Sequence, residues 1–154
     1  MLEVKFYDTV DDSLLKFAVI ISQSNGKWVF CKHKERDTYE ALGGHREVGE
    51  DILETAKREL QEETGAIQFD IKPICVYSVT GKNSVNETDE ETFGLLCFAE
   101  ITEFSGKLES EIEKVELMDE LPESWTYPMI QPKLIEKYLQ IEKQSYSQIQ
   151  LAAK

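Results

Sequence analysis

The sequence predicts an α/β fold in which one mixed sheet carries helices packed on it. Three observations predict it. Strand-like runs outnumber helical ones, and they come in the order strands, helix, strands, helix. One run, Phe17-Ala18-Val19-Ile20-Ile21, is apolar on both faces, as a central strand covered on two sides must be. A chain of 154 residues, 41% of them hydrophobic, suits one domain with a core of its own.

Residues 2–7 alternate weakly and read as an edge strand, and residues 14–22 as the central one. Ser24-Asn25-Gly26 is a hairpin turn, because Asn and Gly tolerate positive φ. Lys27–His33 is the return strand, residues 32–38 a charged loop and residues 39–42 a short strand. Residues 43–50 form a loop that carries a glycine pair, and residues 51–64 are the best helix in the chain. Asp51 is placed to cap that helix, with Glu54 three residues on, and Gly65 is placed to end it in the left-handed conformation. Residues 69–80 and 91–104 are two long strands around a polar loop, and Ile112–Met118 is a further strand. Asp119-Glu120-Leu121-Pro122 is a turn. Residues 131–144 bear a helical stripe of Leu134, Ile135, Tyr138, Leu139 and Ile141, with Pro132 at the start. The expected division is one domain over 1–143 and a frayed tail over 144–154.

Lys and Arg total 17 against 30 Asp and Glu, a net charge of −13. Such a chain is not expected to grip a nucleic acid polymer, which takes excess Lys and Arg, nor an anionic membrane. A small anion stays open if a cation stands between it and the protein. The cysteines Cys31, Cys75 and Cys97 are odd in number and lie in apolar runs, so they read as buried thiols of a reducing compartment rather than as disulfides or zinc ligands. No apolar run approaches the ~20 residues of a membrane span, and Met1-Leu2-Glu3-Val4-Lys5 lacks the pattern of a signal peptide. A cytoplasmic location is expected.

The chemistry sits in residues 43–66. With Leu53 at 0° and about 100° per residue, Leu60 falls near 340°, Ala56 near 300° and Ile52 near 260°, which is the core-facing arc. Glu63 falls near 280°, Glu59 near 240° and Glu62 near 180°, so two carboxylates lie on or beside that arc. Like charges at i, i+3 and i+4 repel and ask for a compensating charge. Carboxylate oxygens are hard ligands, which suits Mg2+ or Mn2+. The plain alternative is a solvated acidic helix in which Arg58 pairs with Glu62. Gly43-Gly44 lets the backbone approach a ligand closely, so that a carbonyl there would complete a metal shell, unless the pair is only a turn.

Gly44, five residues, Glu50, seven residues, Arg58-Glu59-Leu60, one residue, Glu62-Glu63, one residue, Gly65-Ala66 resembles the Nudix box, the signature of the Nudix (MutT-like) pyrophosphohydrolases. Ala66 stands where a larger aliphatic is usual, and Leu42 where Pro often precedes the glycine pair. The flanking strands and C-terminal helix agree with the family's layout, so the resemblance implies a Nudix α/β/α sandwich.

It also implies Mg2+-dependent hydrolysis of a nucleoside diphosphate linked to another group, with Mn2+ able to substitute. The leading expectation for the substrate is an oxidised or ordinary nucleoside triphosphate such as 8-oxo-dGTP, with nucleotide sugars, ADP-ribose and dinucleoside polyphosphates left open. Carried over by position, Glu62, Glu63 and the Gly43 carbonyl are metal ligands, and Glu59 is a ligand or the general base. Glu50 braces the loop and Arg58 holds the Glu side chains. Glu111 is the candidate base outside the box, with Glu109 and Glu113 competing. Lys32, His33, Lys34 and Arg36 are candidates to meet phosphates, against the plain reading of a solvated loop, and Gly44 borders the same phosphates. His45 reads as a loop residue, and Trp125 and Tyr127 as packing on the last helix rather than stacking on a base. The expected partners are a small nucleotide and, in a family often dimeric, a second copy of the chain. The competing readings are a non-catalytic Nudix-fold nucleotide-binding or sensor module and an acidic interaction protein without metal chemistry. Against the sensor stands the retention of Glu59, Glu62 and Glu63, since such modules typically lose box carboxylates.

Overall fold

The computed structural model describes residues 2–81, 88–105 and 112–152. In chain order the elements are β1 (Glu3–Tyr7), a single 3-10 turn (Asp12–Leu14), β2 (Leu15–Ser24), β3 (Lys27–His33), β4 (Leu42–His45), α1 (Ile52–Thr64), β5 (Ala66–Thr80), β6 (Thr92–Phe104), β7 (Ile112–Met118) and α2 (Gln131–Ala152). The sheet runs β1-β5-β6-β2-β3-β7, with β4 also paired to β2. It is mixed because β2 and β6 are parallel while the other pairs are antiparallel.

Strand β2 organises the sheet. Along one edge it pairs with β6 from Leu15 to Gln23. Its other edge is divided: Phe17 to Ile20 pair with β4, and Ser22 to Ser24 pair with β3. The apolar run on β2 feeds both faces. Ala18 and Ile20 join the core under α1, with Ile52, Ala56 and Leu60. Phe17 and Ile21 join the core under α2, with Leu134, Ile135 and Tyr138. Helices on both faces of one sheet make the expected α/β/α sandwich.

Local chemistry sets the boundaries. Asn25 and Gly26 turn the β2–β3 hairpin at φ 53° and 77°. Asp51 caps α1 by accepting the Leu53 N–H at 3.0 Å. Gly65 ends it at φ 72°, with its N–H on the Gln61 carbonyl. Pro73 lies within β5, where the ladder to β6 shifts register between Pro73 and Cys75, as a residue without an N–H requires.

Several boundaries shift from expectation, β5 starting at Ala66 rather than 69 and β2 running to Ser24 rather than 22, and two further shifts are larger in consequence. The short strand is Leu42–His45 rather than 39–42, so the glycine pair sits in the sheet and not in a loop. The pairing needs a bare backbone, since a Cβ on Gly43 would overlap the Ala18 carbonyl of β2. Helix α2 runs to Ala152, beyond the end of its apolar stripe, through a stretch that holds neither Gly nor Pro.

A Gly65→Ala substitution puts a Cβ in the left-handed region. It is expected to cost about 1–2 kcal/mol in thermal or urea melting while leaving turnover per folded molecule unchanged.

Candidate active site

The buried positions of α1 are Ile52, Thr55, Ala56, Leu60, Glu63 and Thr64. That arc centres on Ala56 and Glu63, where the helical angles put it, and Leu53 at its edge is only half-buried. Glu63 therefore stands in the middle of the buried face, 8% exposed. Its Oε1 accepts the Gly43 N–H at 2.7 Å, and among the described residues no cation pairs with it. Burial pushes its carboxyl up to about 8; the Gly43 N–H opposes the rise, and Glu59, Glu40 and Glu62 add to it.

Arg58 gathers the other carboxylates. Its Nε donates to Glu50 Oε2 at 2.7 Å and its Nη2 to Glu50 Oε1 at 3.0 Å, a two-pronged pair. Its Nη1 donates to Glu59 Oε1 at 2.8 Å and reaches Glu62 Oε2 at 3.4 Å. Its Nη2 also donates to the His45 carbonyl at 3.0 Å, which ties α1 to the end of β4. Hydrogen bonds from Arg58, then from the Thr55 hydroxyl, hold the Glu50 carboxyl down to about 2. Burial raises Glu59, against the pull of Arg58. Gly44 faces this group from β4, and a Cβ there would overlap the Glu59 carboxylate.

Gly43, Gly44, Glu59, Glu62 and Glu63 line one cleft of about 410 Å3. Phe17, Val19, Tyr77 and Val79 from the sheet line it too, as do Tyr127, Ile130 and Gln131 around the start of α2. The carboxylates share the cleft without closing on one point, and among the described residues no three His, Cys, Asp or Glu side chains gather to enclose a metal ion. Arg58 holds Glu59 and Glu62, and the Gly43 N–H holds Glu63. In kind the donors fit a hard divalent cation: three carboxylates on one wall, one of them buried with no cationic partner among the described residues.

Of the other expected residues, His33 lines the cleft, whereas Lys32 and Lys34 do not. His33 Nε2 lies 3.1 Å from Glu40 Oε1, and Arg36 Nη1 donates to the same oxygen at 3.3 Å. His45 and Tyr127 line the cleft as well, while Trp125 packs edge-on against Phe30. Glu111 and Glu109 lie outside the described residues, and Glu113 is in β7. Sequence reasoning missed Glu40 and Gln131, which are 6% and 5% exposed and line the cleft. The available signals were a lone acid among the apolar residues of a short strand and a polar residue opening an apolar helix.

A model of the NUDIX domain matches residues 13–137. The chain belongs to the Nudix family. It is a Nudix hydrolase, an enzyme of phosphoric anhydrides. It is 33% identical over 127 residues to a Bacillus subtilis (strain 168) protein named "Putative 8-oxo-dGTP diphosphatase YtkD", covering 79% of this chain and 73% of that one. Its fold is similar to the crystal structure of the Bacillus subtilis pyrophosphohydrolase BsRppH, with a TM-score of 0.73, 27% identity and 90% of each chain covered. A UDP-X diphosphatase shares the fold at a TM-score of 0.67 and 18% identity, covering 89% of this chain and 66% of that one. Among the described residues no helix of this Nudix chain is long and apolar enough to cross a membrane.

Two predictions test the Nudix wall of the cleft. Gly44→Val drives a branched side chain into the Glu59 carboxylate; turnover is expected to fall roughly a hundredfold, with little change in melting temperature. Glu63 is protonated in the folded chain up to about 8 but ionises near 4.5 when unfolded. Its contribution is therefore intact below 4.5 and is lost as pH rises through that window. Melted in chelator, a Glu63→Gln variant is expected to match the parent at pH 5 and to exceed it by roughly 2–4 kcal/mol at pH 8.

Proposed function

We propose that this chain is a Mg2+-dependent nucleotide pyrophosphohydrolase, with Mn2+ able to substitute, whose substrate is an oxidised or ordinary nucleoside triphosphate such as 8-oxo-dGTP. The observation that carries the reading is Glu63, a buried carboxyl without a cationic partner among the described residues, on a cleft wall shared with Glu59 and Glu62. Nudix hydrolases generally use divalent metal ions, and the Bacillus subtilis relative named for 8-oxo-dGTP supports the substrate.

Glu59, Glu62, Glu63 and the Gly43 carbonyl would hold the cation. Its chemistry when bound is to offset the acidic wall against a polyanion and to lower the pKa of water. The rest is work for the chain. Arg58 keeps the Glu59 and Glu62 side chains in reach of each other and fixes α1 to β4 through the His45 carbonyl. Glu50, held ionised by Arg58, locks that guanidinium from behind. Gly44 leaves room for Glu59, the first candidate to take the proton of the attacking water. The apolar part of the cleft suits the nucleoside, leaving the phosphates toward the carboxylates.

The test is hydrolysis of a nucleotide panel, with products identified. Turnover is expected to vanish in excess chelator, to return with Mg2+ or Mn2+, and to be faster at mildly alkaline pH than at pH 6. Full turnover in chelator would overturn the metal-dependent reading.

A further inference from the structure

One arginine supports the carboxylate wall without lining the cleft. Arg46 is among the five residues between Gly44 and Glu50, where the Nudix box fixes no residue type, and it is absent from the cleft lining. Four of its five guanidinium N–H groups are engaged. Nε donates to the Glu50 carbonyl at 2.6 Å. Nη1 donates to the carbonyls of Asp12 at 2.9 Å and Leu15 at 3.2 Å, and Nη2 to Asp12 Oδ2 at 2.9 Å. The Arg46 main-chain N–H donates to the Lys16 carbonyl at 2.8 Å, one rung beyond the pairing of β4 with β2.

The turn that receives this guanidinium is braced from within. Asp11 Oδ1 accepts the Ser13 N–H at 3.0 Å and the Ser13 hydroxyl at 2.9 Å, and the Asp11 carbonyl accepts the Leu14 N–H at 3.0 Å. Arg46 thus fixes the main chain of Glu50 to a firm point at the start of β2. The other bonds of that loop close it on itself: Glu50 N–H to the Glu47 carbonyl, and Glu47 N–H to Glu50 Oε1, each at 3.1 Å. From Glu50 the grip passes inward. Its carboxylate holds Arg58 by two bonds, and Arg58 holds Glu59 and Glu62.

We infer that Arg46 is a positioning residue for hydrolysis: through Glu50 and Arg58 it keeps Glu59 and Glu62 within reach of one cation. A shift of the Glu50 main chain moves the carboxylate on which Arg58 is aligned, and a guanidinium that turns takes Glu59 and Glu62 with it. Residues that orient metal ligands from behind typically set affinity or activity by roughly ten- to a hundredfold. Plain Coulomb attraction predicts the opposite sign, since removing a positive charge beside an acidic site tightens its hold on a cation. Positioning and charge therefore differ in direction and not only in size. The inference rests on the Mg2+-dependent hydrolase reading above.

The experiment measures Mn2+ binding to the substrate-free chain by titration calorimetry, together with triphosphate hydrolysis and thermal melting. Arg46→Met keeps the apolar stem and removes every donor. It is expected to bind Mn2+ roughly tenfold more weakly and to turn over roughly tenfold more slowly, with KM for the nucleotide little changed. Arg46→Lys keeps the charge but grips as a point, so both quantities should fall in the same direction by less; it decides the matter if Arg46→Met does not fold. Glu50→Gln cuts the next link. With that link cut, adding Arg46→Met should cost no further turnover, whereas the losses in melting temperature should add. Unchanged or tighter Mn2+ binding with turnover intact would make Arg46 a plain structural tie, and turnover losses that add in the double variant would exclude the route through Glu50; either result overturns the inference. A parent that binds Mn2+ yet hydrolyses no nucleotide would count against the catalytic reading instead, and the Mn2+ titrations would still decide what Arg46 does.

Discussion

The site depends on one guanidinium. Arg58 sits on an acidic helix in an acidic protein, and its five N–H groups are shared among Glu50, Glu59, Glu62 and the His45 carbonyl. Without it, three carboxylates of α1 would repel one another and the loop between β4 and α1 would lose its anchor. The planar fork matters as much as the charge, since an ammonium grips carboxylates as a point rather than as two parallel bonds. The strength of the pair with Glu50 is visible in how far below the usual carboxylate range that side chain is held. A second arginine, Arg46, ties the same loop to the turn before β2: its Nε donates to the Glu50 carbonyl at 2.6 Å and its Nη2 to Asp12 Oδ2 at 2.9 Å.

The chemistry-bearing segment was legible because its spacing is rigid. Helical geometry puts Glu59, Glu62 and Glu63 on one side whatever the rest of the chain does, and Asp51 and Gly65 mark the ends of that helix by residue type alone. The both-face apolar run was legible for a similar reason, since only a strand covered on two sides tolerates it. Less legible was the glycine pair. Two glycines ordinarily mark a turn, and here they are a strand, because the constraint comes from Ala18 and Glu59, far away in sequence. Glu40 and Gln131 were barely legible, marked only by a lone acid in a short apolar strand and a polar residue opening a helix. Their burial follows from the start of α2 docking on β4's approach, a contact with no periodic trace in the chain.

The cleft follows from the divided edge of β2. Because β4 takes the first half of that edge and β3 the second, the glycine pair ends up beside α1, while the neighbouring Glu40 bridges to Cys31 of β3. One short stretch of backbone, residues 40–44, therefore supplies both the wall that meets the carboxylates and the base that carries the Gln131 amide. The tight spacing between them is a property of the sheet and not of any flexible loop.

The parallel pairing of β2 with β6 has a consequence for how the molecule assembles. Leu15 meets Phe93 and Gln23 meets Glu100, so the centre of the sheet cannot form until about half the chain has been looped back on itself. The hairpins and α1 are local and can form quickly, but they have no finished core to rest on until that closure happens. Closing so long a loop is entropically slow, and β2 waits with an apolar run exposed on both faces. The strand that holds the active site together at equilibrium is thus also the segment at greatest risk of wrong association while the protein folds.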